Sequence, residues 1–107
     1  SMGDAPDKPD PKGFINLAKK LLGDKVGNSN IPIAYVGDTI ADVNTVINAR
    51  KEIPSQKFIS IAIAPPHLHL KSRIKERNLY EKNLQKAGAD LILNSIYDLK
   101  KINLELF

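Results

Sequence analysis

The sequence predicts an α/β fold built on a parallel sheet of about three strands with about four helices. Three short apolar runs carry the prediction: Ile33 to Val36, Phe58 to Ala64 and Leu91 to Leu93. They are too short for helices, and the first is rich in β-branched and aromatic residues and runs directly into Gly37. The second is interrupted only by Ser60, which marks a strand covered on both faces, as in parallel sheets. Helical periodicity fills the intervals between the runs, and strands alternating with helices give βαβ units with right-handed crossovers.

Asp4 to Asp10 reads D-A-P-D-K-P-D and lacks large apolar side chains, so it is an extended lead-in. Asp10 is a suitable N-cap and Pro11 a suitable first helical residue. Phe14, Ile15, Leu17, Ala18, Leu21 and Leu22 then form the apolar face of a first helix that stops before Gly23. Gly23 to Asn30 is a polar connection to the central strand. The second helix starts near Thr39 or Ala41, carries Val43, Val46, Ile47 and Arg50 at helical spacing, and fades at Arg50 or Lys51. A loop with Pro54 leads to the second strand, which Pro65-Pro66 ends. Pro65 to Ser72 is a loop. Arg73 to Ala87 is a charged helix with a thin seam of Ile74, Tyr80, Leu84 and Ala87, closed by Gly88. After the third strand, Ser95 and Asp98 have capping-box spacing, and Ile96, Leu99, Ile102 and Leu106 mark the buried side of a last helix.

The composition narrows the function classes. At 107 residues the chain makes at most one domain, and without cysteine it has neither disulfides nor a thiolate metal site, which suits a cytoplasmic setting. No apolar run approaches the roughly 20 residues of a membrane span, and no signal peptide is visible. Ser1-Met2 reads as a cloning remnant. The formal charge is +4, but basic residues are interspersed with acidic ones and no aromatics interleave with a basic stripe, which argues against specific nucleic-acid binding. Arg73, Lys75, Arg77, Lys82 and Lys86 read as a solvated helix face.

The chemistry concentrates at V-G-D-T-I-A-D, residues 36 to 42. Asp38 falls at the carboxyl end of the central strand, the edge where open α/β sheets bind ligands. Asp42, four residues on in the first helical turn, can face the same side, and two carboxylates near one point suit a hard cation. The plainer explanation is a cap at Asp38 and a dipole partner at Asp42. His67 and His69 could both reach a metal from their loop, but no third ligand is evident.

A second segment tilts the balance. D-K-P-D-P-K-G-F at Asp7 to Phe14, followed about two dozen residues later by V-G-D-T-I-A-D-V, resembles the third and fourth motifs of the haloacid dehalogenase (HAD) superfamily of phosphohydrolases. A-G-A-D-L-I-L-N-S-I-Y-D-L at Ala87 to Leu99 resembles its closing strand and helix. K-P-D-P suggests the subgroup whose cap is inserted early, subfamily I. The resemblance implies a Rossmann-like three-layer fragment over residues 4–107, the carboxyl-terminal part of a core domain. It makes Lys8 the catalytic lysine that binds the substrate phosphoryl group and offsets its charge. Asp38 would ligate Mg²⁺, and Asp42 would either ligate it through water or orient Lys8. Thr39 would add a hydroxyl or amide.

The departure from the family is equally specific. HAD enzymes use two aspartates separated by one residue after the first strand, and no Asp-x-Asp occurs here; Asp4, Asp7 and Asp10 are three apart and follow no strand. The second-motif Ser or Thr has no counterpart. The expected protein is therefore the lysine and metal half of a phosphatase for a small phosphorylated substrate, inactive alone because in-line displacement has no attacking group. The strand Ile33 to Val36, beside the missing nucleophile strand, should present an unpaired apolar edge and support a homodimer or larger assembly. The competing non-enzymatic reading is a receiver-like regulatory or interaction module with Asp38 as phosphoacceptor.

Overall fold

The computed structural model describes residues 8–107. Expectations placed on Ser1 to Asp7, the cloning remnant and most of the acidic lead-in, lie outside the described residues. Three α-helices and three strands follow one another as α1 (Lys12–Leu22), β1 (Ile33–Gly37), α2 (Ile40–Glu52), β2 (Phe58–Ile63), α3 (Ile74–Ala87) and β3 (Leu91–Leu93). The strands form one parallel sheet in the order β1-β2-β3. Ile33 pairs with Phe58 and Gly37 with Ala62, while Ile61 pairs with Leu91 and Ile63 with Leu93.

Alternation along the strands assigns the two faces. Phe58 packs with Ile15 of α1, Val46 and Ala49 of α2, and the half-buried Ile33 and Tyr35. Ala62 packs with Val43 of α2, Leu84 of α3 and Ile92. All three α-helices thus cover the face of Phe58 and Ala62. The opposite face, Ile59, Ile61 and Leu93, is covered by Leu99, Ile102 and Leu104 from the carboxyl-terminal segment. The layers are helices, sheet and that segment.

Several helix ends follow from local chemistry. α1 starts at Lys12 with Pro11 as its N-cap, one residue later than expected, and Asp10 Oδ1 accepts the Lys12 amide at 2.9 Å. Gly88, at φ +119°, closes α3 in a left-handed conformation that only glycine adopts without strain. Gln56 is buried; its Oε1 accepts the Gly27 amide and its Nε2 donates to the Ile31 and Lys57 carbonyls, fastening the loop before β1.

Three expectations are corrected. The expected last helix is present in 3-10 form, as Ile96–Lys101 and Leu104–Leu106 separated by extended residues, but its expected capping box is not. Ser95 Oγ accepts the Tyr97 amide instead of completing a capping box with Asp98, and Asn103 Oδ1 accepts the Glu105 amide. These local bonds give the backbone an alternative to i→i+4 pairing. The stripe of α1 is wider than its core contact, so Leu17 and Leu21 face outward while Ile15 and Ala18 are buried. Ile74, assigned to the seam of α3, is 52% exposed, because the buried side starts further along at Tyr80 and Leu84.

Candidate functional site

The site is built where β1 hands over to α2. Thr39 is the N-cap: its hydroxyl oxygen accepts the Asp42 amide at 3.2 Å, and Asp42 Oδ2 accepts the Thr39 amide at 3.1 Å, a complete capping box. Asp42 is pulled tight under the strand end. A Cβ at Gly37 would fall 2.4 Å from the Asp42 side chain, so residue 37 has no room for one. Here glycine is required by close approach and not by backbone twist.

Five donors converge on the buried Asp42 carboxylate. Oδ2 accepts from the Asp38 amide at 3.0 Å, the Thr39 amide and the Thr39 hydroxyl at 2.8 Å. Oδ1 accepts the Tyr35 hydroxyl at 3.0 Å and the Lys8 ammonium at 2.7 Å. Burial alone would raise the Asp42 pKa, but hydrogen bonds from Lys8, Thr39 and Tyr35 outweigh it, so the carboxyl titrates below its usual range. The same bond raises Lys8 against the opposing effect of burial, with the Asp42 charge adding to the rise. Burial and the bond to Asp42 raise Tyr35, which stays a protonated donor.

Lys8 is drawn in by its own loop. Asn48 Nδ2 of α2 donates to the Pro9 carbonyl at 3.0 Å, and the buried Pro11 and the Asp10 bond to the Lys12 amide fix the entry to α1. The Lys8 side chain remains 48% exposed, so its ammonium, with three donors and one given to Asp42, can still reach a ligand. On the other side, the Tyr80 hydroxyl of α3 donates to the Asp38 carbonyl. Burial raises the Tyr80 pKa, with the Asp38 and Asp42 charges adding to the effect.

The three expected residues therefore meet unequally. Lys8 and Asp42 are paired, and Asp38 stands at the rim with a carboxylate that makes no hydrogen bond or ion pair among the described residues. A carboxylate offers about four lone-pair sites, and Asp42 already receives five donors, so of its two expected roles this geometry supplies the one that orients Lys8. As a metal ligand Asp42 has no free lone pair to give. Asp38 suits Mg²⁺, which takes one or two carboxylates and completes its shell with water and phosphate oxygens. No group of three or more His, Cys, Asp or Glu side chains comes together to hold an ion among the described residues. His67 is exposed, and His69 Nε2 donates to the Ala64 carbonyl at 2.7 Å, so the two histidines are not assembled as a pair of ligands.

Tyr35, Tyr80 and Asn48 join the site without a sequence signal that marks them as site residues. Both tyrosines were read for their apolar bodies, in a strand and in a helix seam, and only the hydroxyl at the tip takes part. Arg73 and Arg77, placed on a solvated face, are ion-paired to Glu76 and Glu81.

Fold and site together define an α/β domain that presents a lysine–aspartate pair and a second carboxylate at the carboxyl edge of a parallel sheet. Compared with protein-family models, curated proteins and solved structures, the chain matches none.

Proposed function

We propose that this chain is the carboxyl-terminal portion of a Mg²⁺-dependent, HAD-like phosphoric monoester hydrolase of the cytoplasm that acts on a small phosphorylated metabolite. The observation that carries the reading is the 2.7 Å pair of Lys8 and Asp42 beside the Asp38 carboxylate, which is unpaired among the described residues, assembled from segments 30 residues and more apart in sequence. Lys8 binds a phosphoryl oxygen and offsets its charge. Asp42, locked by Tyr35 and the capping box, holds that ammonium in place. Asp38 holds Mg²⁺, which neutralises charge on the phosphoryl oxygens when bound. No residue here supplies the attack, because the sequence contains no Asp-x-Asp. The chain alone therefore binds phosphate without turning it over. The free edge of β1, Ile33–Gly37, pairs with a second copy to give a homodimer or larger assembly.

Amide shift mapping with inorganic phosphate and Mg²⁺ tests the half-site. Lys8, Asp38 and Thr39 should respond only when both are present, K8A should abolish the phosphate response, and D38N should abolish its Mg²⁺ dependence. Hydrolysis of p-nitrophenyl phosphate by the purified chain would overturn the assignment of an inactive half. Silence at Lys8 and Asp38 in both titrations would overturn the phosphate reading itself.

A further inference from the structure

Beyond Asp38 the carboxyl edge of the sheet opens into a cavity of about 370 Å³, walled by Ile63, Ala64 and Pro65-Pro66 after β2 and by Asn94 to Ile96 after β3, with His69 alongside. Ligand pockets begin at about 300 Å³, and a cavity of about 150 Å³ suffices for benzene, so a ring-sized group fits with room to spare. Its chemistry is selective. Among the described residues Asp38 is its sole carboxylate, and no Lys or Arg lines it. His69 Nε2 donates to the Ala64 carbonyl, which can only accept, so in the neutral ring Nδ1 is left as an acceptor. Ser95 Oγ already accepts the Tyr97 amide and keeps its own proton to donate. Arg77, which reaches the Asn94 wall, is occupied by Glu81 and by the Asn94 carbonyl at 3.0 Å, which fixes the loop after β3. The remaining lining is apolar.

We infer that this cavity receives the organic portion of the phosphate ester, and that it selects a compact, uncharged group with an apolar face and a hydroxyl. This rests on the proposed function, in which the phosphoryl end lies at Lys8 and Asp38. A second phosphate or a carboxylate reaching past Asp38 and its Mg²⁺ to the far wall would meet apolar side chains and no Lys or Arg among the described lining residues. In this open cavity the apolar walls offer a charged group no partner, whereas a hydroxyl finds an acceptor at His69 and a donor at Ser95.

Phenyl phosphate and 4-carboxyphenyl phosphate, which differ chiefly in charge at the far end, test the inference by shift titration in the presence of Mg²⁺, with inorganic phosphate as reference. Phenyl phosphate should move Ile63, Ala64, Asn94 and Ile96 in addition to Lys8 and Asp38, and should bind at least fivefold more tightly than the carboxylated ester. Ile96 is 49% exposed, so I96K is expected to fold, which the wild-type shift pattern verifies. It should narrow that preference to less than twofold or reverse it; effects of the new lysine on the shared phosphate cancel in the ratio. If inorganic phosphate moves Lys8 and Asp38 while neither ester reaches the cavity residues, or both esters bind equally, the inference falls and the phosphate site stands. If nothing moves Lys8 or Asp38, both fall.

Discussion

The pairing of Lys8 with Asp42 is a residue-scale arrangement whose consequences can be read in pH. The folded pKa of Asp42 lies below its unfolded value, so its contribution to stability is present above the unfolded value of about 3.9 and is lost as pH falls through the lowered folded pKa. Lys8 is shifted upward, so its contribution is present below about 10.4 and fades as pH rises through the raised folded pKa. Across the neutral range both charges are in place. Asp42→Asn removes the charge and turns one acceptor into a donor facing the Tyr35 hydroxyl, Lys8 or the turn amides. Leaving those buried donors unmatched costs about 2 kcal/mol at neutral pH. Urea midpoints should show that gap between wild type and D42N at pH 7, closing as the pH drops below about 4; a gap constant down to pH 2 would mean that the carboxylate charge is not what the site uses.

At the scale of elements, the strands and the first three helices were legible because each has a periodicity and a breaker: a short apolar run ending in Gly37 or Pro65, a helical stripe ending in Gly23 or Gly88. The last helix was legible in place but not in form, since its apolar spacing fits α and 3-10 segments alike and Ser95 and Asn103 decide between them. Lys8, Asp38 and Asp42 were legible as a motif, whereas Tyr80 and Asn48 act through contacts 42 and 39 residues away that no spacing encodes. The same holds for the bracket at the other end of the sheet. Arg50 Nε and Nη2 donate to the Phe58 carbonyl, Nη2 also pairs with Asp90 Oδ2 at 2.5 Å, and that oxygen accepts the amide of the buried Ser60 at 2.8 Å. One carboxylate thereby ties α2, β2 and the turn before β3. Asp90→Ala strands the Ser60 amide and should cost about 1.5 kcal/mol. Hydrogen exchange localises the effect: Ser60 should lose protection while the Asp38 and Asp42 amides keep theirs, and equal loosening at both ends would show that the bracket and the site are one cooperative unit.

The whole molecule has an uneven covering. Its three α-helices lie on one face of the sheet, β1 is an edge strand, and Val36 on the opposite face is 37% exposed, as is Ile31 just before the strand. Unpaired N–H and C=O groups along an apolar edge form a template for another strand, and no bulge or proline interrupts residues 33–37. Two copies related by a two-fold axis would set their β1 strands antiparallel and extend the sheet to six strands, since an isologous contact reverses strand direction. Helices would then line one side of the joined sheet and the exposed valines the other. A lysine is the residue natural edges use against such pairing, and at position 36, which is 37% exposed on the edge strand, it can reach solvent. Light scattering should give wild type twice the 11.8 kDa chain mass or more at high concentration and V36K the single-chain mass, with helical content and phosphate-dependent shifts at Lys8 unchanged. A wild-type chain that stays at the single-chain mass, with its β1 amides protected from exchange, would mean that the edge is closed by the chain itself.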